Sequence, residues 1–421
     1  MSYKVFLFFL LCICFFSCIF EDDSEPVYNA KIAWASPLVS NNFTDHAVDG
    51  DSVFFFERPP GYDTVTICAL TRLDAQTGAF IWRSDVLFSY TFCQPLVIGG
   101  YVYVVISSRI LCFNLETGEH TATVNANIDN KNLSSELYFP VVYNEYIYLS
   151  LYRDSGRDGY FARLDSNLIN QNGDSKTIQD INLEVLWDVD NFATFTAKPV
   201  IYNNTVFTGT SGNRDRPIEL AGFDLDSLKM VFHCSFGGQE DKGTNIVDYD
   251  SGWTENPILI HEGVLYYIGD SVSAWDITSG EKLYRHILSY DTPEPERYWS
   301  ECLQPLYYHG CIYFTNITSY SPDRFRNIHC MDAATGKLVW NTIAVDSESL
   351  RTNPIIANCK LFLPQYDGFR VYNPKNGDLL GVDKTFRGVG MGRNVLYKNL
   401  MICIRQNKNG DGCLVAVDVS K

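Results

Sequence analysis

Eight arginines fall in the segments that read as long loops: Arg58, Arg153, Arg157, Arg214, Arg216, Arg297, Arg324 and Arg326. Tyr62, Tyr290, Tyr298, Trp299 and Phe325 accompany them. A guanidinium presents a fork of donors that suits carboxylates, and arginine beside aromatic rings is the composition of binding hot spots. The chemistry this predicts is recognition of an acidic or polar partner, either a protein loop or a glycan. The same segments carry Asp154, Asp158, Asp215 and Asp323. These could instead pair with the arginines as solvated surface bridges, which contribute little.

Catalytic groupings are scarce by comparison. The seven histidines (His46, His120, His233, His261, His286, His309 and His329) include no pair at metal-binding His-x-x-x-His spacing. The chain has no Gly-x-Ser-x-Gly, no Cys-x-x-Cys and no adjacent cysteine pair. Hard cations need clustered oxygen ligands, and the nearest runs, Asp248-Tyr249-Asp250 and Glu21-Asp22-Asp23, read as loop and tether. Phe236-Gly237-Gly238 is followed by no helix signal, as a phosphate loop would require. These residues give no reason to expect a catalytic group, a metal or a bound cofactor.

The N-terminus predicts export. Lys4 precedes an apolar run over residues 5–16, then Ser17, Cys18 and an acidic stretch. A dozen apolar residues is too short for a spanning helix and suits a secretory signal. Residues 1–17 are read as the signal peptide, Cys18 as a lipid acceptor, and 18–29 as the tether it anchors. The alternative is an ordinary secretory signal with an incidental cysteine. Membrane contact is expected through that anchor only, because the net charge of −17 opposes docking on anionic lipid. The same charge argues against nucleic acid as a partner. Ten of the thirteen cysteines lie beyond Cys18, mostly in apolar runs, and read as buried small hydrophobes. Cys403 and Cys413 are expected to face each other across a hairpin centred near Lys408, with Cys311 and Cys330 a similar pair; both pairs could be disulfides.

A repeat supplies the elements that must position the loops. Leu73-Asp74-Ala75-Gln76-Thr77-Gly78-Ala79-Phe80-Ile81-Trp82 recurs as Met331-Asp332-Ala333-Ala334-Thr335-Gly336-Lys337-Leu338-Val339-Trp340. Weaker copies centre on Asn114, Asp276 with Gly280, and Asn373, and degenerate ones on Asp165, Asp224 and Asp418. The Asp or Asn can close a turn onto amides two or three residues on. The glycine four positions later supplies a positive φ. Eight positions after the Asp stands a large ring: Trp82, Phe232, Tyr284 or Trp340. Each repeat opens with proline and two apolar residues, at Pro95, Pro140, Pro199, Pro257, Pro305 and Pro354, followed by a tight hairpin turn. The spacing of 40 to 59 residues suits a four-stranded blade.

The final repeat stops at Lys421, before its ring could occur, whereas Trp34 sits on an N-terminal strand with no turn before it. The N-terminal strand is therefore expected to complete the last blade. The prediction is an all-β, eight-bladed propeller of four-stranded blades over residues 30–421. The loops 57–63, 153–159, 212–219, 237–252, 290–300 and 319–327 should share one face, and the insertion 167–182 the other.

The repeat resembles the pyrroloquinoline-quinone (PQQ)-like propeller family, whose blade signature is Ala-x-Asp-x-x-Thr-Gly-x-x-x-Trp. That family contains quinone-dependent dehydrogenases, which carry a bound cation and often two adjacent cysteines beneath the cofactor. In overall plan the chain is more similar to the family's non-catalytic lipoproteins of outer-membrane β-barrel assembly. The resemblance implies a periplasmic, lipid-anchored scaffold with protein partners among the barrel-assembly subunits, and no cofactor; the alternative is a ligand-binding (glycan or small-molecule) or PQQ-dependent redox propeller. It assigns none of those partners' contacts to residues here.

Overall fold

A computed structural model describes residues 26–420 except 41–45, 60–66, 90–92, 129–130, 133–136, 153–158, 173–176, 190–197, 211–217, 237–257, 270, 288–299, 303, 319–324, 345–352, 366–367, 387–392 and 407–411. The chain forms eight antiparallel blades in a ring. Blade 1 consists of Ala47–Asp49, Ser52–Glu57, Ile67–Asp74 and Phe80–Arg83. Blades 2 to 7 follow over residues 96–128, 137–189, 200–236, 258–287, 306–344 and 355–383. Blade 8 takes Val395–Tyr397, Leu400–Gln406 and Gly412–Asp418 from the C-terminus and Ile32–Ser40 from the N-terminus.

Closure follows from the turn chemistry. In six blades the amide of the leading Asp or Asn donates to the carbonyl five residues on, as from Asp74 to Ala79 and from Asp332 to Lys337. In blade 8 the amide of Asp418 donates instead to Lys31, at 2.8 Å. Lys31 Nζ also reaches the Asp418 carboxylate at 2.6 Å, which holds that carboxyl below its usual range. Lys31 thus stands in the fifth position and Trp34 in the eighth, so the chain's two ends meet inside one turn.

Each blade is covered on both sides by neighbours, so its inner strands read as continuous apolar runs rather than alternating ones. All six residues of Ser52–Glu57 are buried. Val53 and Phe55 pack towards blade 8, while Phe54 and Phe56 pack towards blade 2. Among the described residues the core is divided accordingly into eight apolar clusters, one between each consecutive pair of blades.

The ring eight residues after the Asp latches one blade to the next. Trp34 Nε1 donates to Ala75 O at 3.1 Å, Trp82 Nε1 to Leu115 O at 2.9 Å, and Trp340 Nε1 to Pro374 O at 2.9 Å. Tyr284 does the same through its hydroxyl to Ala333 O at 2.9 Å. In every case the acceptor directly follows the next blade's leading Asp or Asn. The ring lies flat on the turn glycine: a methyl on Gly118 would come within 2.5 Å of Trp82, and Gly78, Gly336 and Gly377 meet their rings as closely. Gly280 differs, because the preceding blade supplies only Phe232, whose ring turns to Phe207 at 5.8 Å.

Five inner hairpins turn through two left-handed residues, as at Asn203 and Asn204 (φ 45° and 58°) and His309 and Gly310 (48° and 79°), whereas the turn at Asn144 (52°) has one. Two outer edges gain an added parallel strand. Gln179–Asn182, from the insertion in blade 3, pairs with the outer strand of blade 2, and Val27 bridges Val382 on blade 7. That insertion also forms a short helix, Ser166–Asn172.

The cysteine pairs differ from the sequence expectation. The last hairpin is centred one residue later than Lys408, so Cys403 lies opposite Val415 and Cys413 opposite Arg405. A shift of one residue in the centre moves every partner by two, leaving the pair diagonal. Cys311 and Cys330 are likewise displaced, opposite Asp332 and Tyr313. None of the four is in a disulfide. Cys112, Cys330 and Cys403 are buried, and burial raises all three thiols, Cys112 to about 11 and Cys330 to about 12.

Candidate functional site

Six blades contribute described residues at or just before the start of their innermost strand to one cavity. There the residue ahead of the blade-opening proline acquires a role that sequence reading missed. Gln94, Lys198, Gln304 and Asn353 precede Pro95, Pro199, Pro305 and Pro354, and together with His46, Arg393 and Asn394 they line an axial cavity of about 530 Å³. That volume is within the range of small-molecule pockets. The signal was present in the sequence as a polar residue before five of the six blade-opening prolines, Pro140 following Phe139 instead, but nothing local says that these positions converge.

Four of the lining polar residues are buried: His46, Asn353, Arg393 and Asn394. Reciprocal amide bonds join two of them. Asn394 N donates to Asn353 Oδ1 at 2.7 Å, Asn353 Nδ2 to Asn394 O at 3.1 Å, and Asn394 Nδ2 to Asn353 O at 2.5 Å. Asn394 Oδ1 has no hydrogen-bond partner among the described residues. His46 Nε2 lies 3.3 Å from Ile402 O. Lys198 and Arg393 belong to blades 4 and 8, which are diametrically opposed in an eight-membered ring, so a cationic group stands on each side of the cavity.

Among the described residues the lining contains no Asp, Glu or Cys. A divalent cation beside a quinone would need oxygen ligands, preferably carboxylates. Two cationic side chains and a set of amides do not suit it. Among the described residues no group of three or more His, Cys, Asp or Glu could hold a metal ion.

The turn motifs are structural. Asp74 Oδ1 accepts from Thr77 N at 2.8 Å and Thr77 Oγ1 at 2.7 Å, and Asp332 repeats this with Thr335. Asp276 accepts from Ser279 N at 2.7 Å. These bonds hold all three carboxyls below their ordinary range.

The strand order puts the described strand ends that flank the long loops on one face. The segments 57–63, 153–159, 212–219 and 319–327 join second to third strands, and 237–252 and 290–300 join consecutive blades. The insertion 167–182 joins a third to a fourth strand, on the opposite face. Of the predicted binding residues, Arg58 is half-buried just beyond Ser52–Glu57, and Arg326 lies on Phe325–Asp332 opposite Ile317 and Ala344. Arg153, Arg157, Arg214, Arg216, Arg297, Tyr298, Trp299 and Arg324 lie outside the described residues, as do Cys18 and the segment 1–17. Among the described residues no helix is long and apolar enough to cross a membrane.

Eight four-stranded blades, an N-terminal closing strand and Asp-x-x-Thr-Gly turns latched by rings define the class: a closed propeller built on a turn-and-ring repeat. The chain is an eight-bladed β-propeller whose fold and repeat resemble those of the PQQ-like propeller family. The family described as outer membrane protein assembly factor BamB matches residues 268–384. No curated protein matches the chain by sequence. Among solved structures, BamB from Moraxella catarrhalis aligns with a TM-score of 0.57 at 13% identity, covering 92% of this chain and 98% of that one. The quinohemoprotein alcohol dehydrogenase of Comamonas testosteroni aligns at 0.63 and 12% identity, covering 92% and 76%. A europium-containing methanol dehydrogenase gives 0.61 and 13%, covering 92% and 88%. These likenesses concern the fold.

Proposed function

We propose that this chain is a non-catalytic, lipid-anchored scaffold of the bacterial envelope, working in outer-membrane protein assembly. In this reading residues 1–17 are removed on export, Cys18 carries the lipid, and residues 18–29 hold the propeller off the periplasmic face of the outer membrane. The observation that carries the reading is the extent of the likeness to BamB, which takes in 98% of that chain and leaves little of either outside the propeller. The dehydrogenases are longer proteins of which 76% and 88% are covered. The amides and the two cationic side chains among the described lining residues also favour a scaffold over cation-assisted quinone chemistry.

The docking surface in this reading is the long-loop face, with Arg58, Arg153, Arg157, Arg214, Arg216, Arg297, Arg324 and Arg326 as cationic contacts and Tyr298 and Trp299 as aromatic anchors. Arginine and aromatic residues contribute most where a partner excludes water from them. The test is cross-linking in intact envelopes, purification under denaturing conditions, and mass spectrometry of the attached proteins. Enrichment of a barrel-assembly subunit, lost on charge reversal at Arg214 and Arg216, is the expected result. Good recovery of the bait with no such subunit attached would overturn the scaffold reading. Retention of the partner in the reversed variant would overturn the assigned face.

A further inference from the structure

We infer that residues 26–30 are a strap rather than part of a free tether, and that they hold the rim at the seam of blades 7 and 8 toward the lipid surface. The facing of the rim rests on the reading that Cys18 carries the lipid; the strap itself does not.

The tether expected from the sequence runs to residue 29, yet the chain is fastened from Pro26 onward. Val382 N donates to Pro26 O at 2.7 Å, and Tyr28 N donates to Val382 O at 2.9 Å. These are two bonds of a parallel ladder along the outer edge of blade 7. Ala30 N donates to the buried Asp383 carboxylate at 2.8 Å, and that carboxylate also accepts from Thr385 N at 2.9 Å. Burial alternates as on a strand: Val27 and Asn29 are exposed, whereas Tyr28 and Ala30 pack on the apolar cluster between blades 7 and 8. The Tyr28 ring stacks on Phe369 at 5.9 Å and meets Phe362 edge-on at 6.5 Å. Glycine makes room for it, because a methyl on Gly381 would lie 2.7 Å from Tyr28 Cβ.

The strap shortens the free chain. Eight Cα–Cα steps separate Cys18 from Pro26, at most about 29 Å of extended backbone. A chain free as far as Ile32 would have fourteen steps and reach about 50 Å. A domain of this length is itself about 50 Å across. The longer tether would let any part of the ring approach the bilayer. The shorter one keeps the strapped rim near it and leaves the opposite rim, at blades 3 and 4, free to face other partners.

The test uses the lipid-bearing protein in phosphatidylcholine vesicles that carry a headgroup-linked energy acceptor. A donor is attached through Leu380→p-azidophenylalanine or Val231→p-azidophenylalanine, exposed positions on the outer strands of blades 7 and 4. Transfer from position 380 is expected to exceed that from position 231 by about twofold or more. Gly381→Ala, which crowds Tyr28, and Tyr28→Ala, which removes the stacked ring, should each bring the two close to equal. Hydrogen exchange reads the strap directly: the amide of residue 28 should exchange about tenfold or more slowly in the wild type than in Gly381→Ala. Equal transfer from the two positions in the lipidated wild type would overturn the assigned rim. Equally fast exchange at residue 28 in the wild type and Gly381→Ala would overturn the strap. An intact mass showing no lipid on Cys18 would instead overturn the lipid anchor, and the facing of the rim with it.

Discussion

The latch between blades gives a prediction with an internal control. Gly118 and Gly280 occupy the same turn position in blades 2 and 5, at φ 73° and 72°. Alanine at either must adopt a left-handed conformation costing about 1–2 kcal/mol. At Gly280 that is the whole cost, because an added methyl meets nothing within 4 Å. At Gly118 the methyl would lie 2.5 Å from Cε3 and 2.6 Å from Cδ2 of Trp82. That indole is buried and tied to Leu115 O, so it cannot withdraw without breaking the latch. Overpacking of this kind adds about 1–3 kcal/mol. Gly118→Ala is therefore expected to cost about 2–5 kcal/mol against about 1–2 kcal/mol for Gly280→Ala. Guanidinium unfolding followed by tryptophan fluorescence, with m compared between variants, measures both. Trp82→Phe in the Gly118→Ala background should recover part of the difference, since the smaller ring leaves room. Equal losses for the two glycine variants would refute the latch and leave only the backbone requirement.

Two further outcomes follow from the same geometry. Trp34→Ala should destabilise the ring by about 3–5 kcal/mol, because it removes a buried indole from the seam between blades 8 and 1; a drop in the denaturant midpoint smaller than that of an exposed-residue control would contradict the closing role. His329 is buried against Phe314, with neither ring nitrogen hydrogen-bonded among the described residues, and burial lowers its pKa from 6.5 to about 4. The unfolded chain then takes up a proton that the folded chain refuses. Stability is full above pH 6.5 and falls as pH drops toward 4, by about 3 kcal/mol in total. His329→Phe should flatten the stability profile across that window. The Asp74, Asp276 and Asp332 turns, whose carboxyls are held below the usual range, should still be lost at lower pH.

Much of the fold was legible because its determinants are local. The Asp-x-x-Thr-Gly turn writes its own hydrogen bonds within six residues, and the two-residue hairpins carry their left-handed positions in Asn, Gly and His. The missing ring at the C-terminus and the surplus Trp34 at the N-terminus together foretold closure. The cysteine register was misjudged because a hairpin centre cannot be located to one residue from composition, and each residue of error there moves the partner by two. The added strand Gln179–Asn182 on blade 2 was also hidden, since a parallel edge pairing leaves no signature in the strand itself.

The sequence by itself determined the repeat, the number of blades and the closing strand. Each of these is a property of a segment or of the order of segments. Only the tertiary structure decided that Gln94, Lys198, Gln304, Asn353 and Arg393, spread over some three hundred positions, surround one cavity. Closing the ring brings residues at the start of six blades to one cavity, and no local interaction encodes that convergence. The same closure converts each blade's large ring from an exposed side chain into a latch on its neighbour's turn.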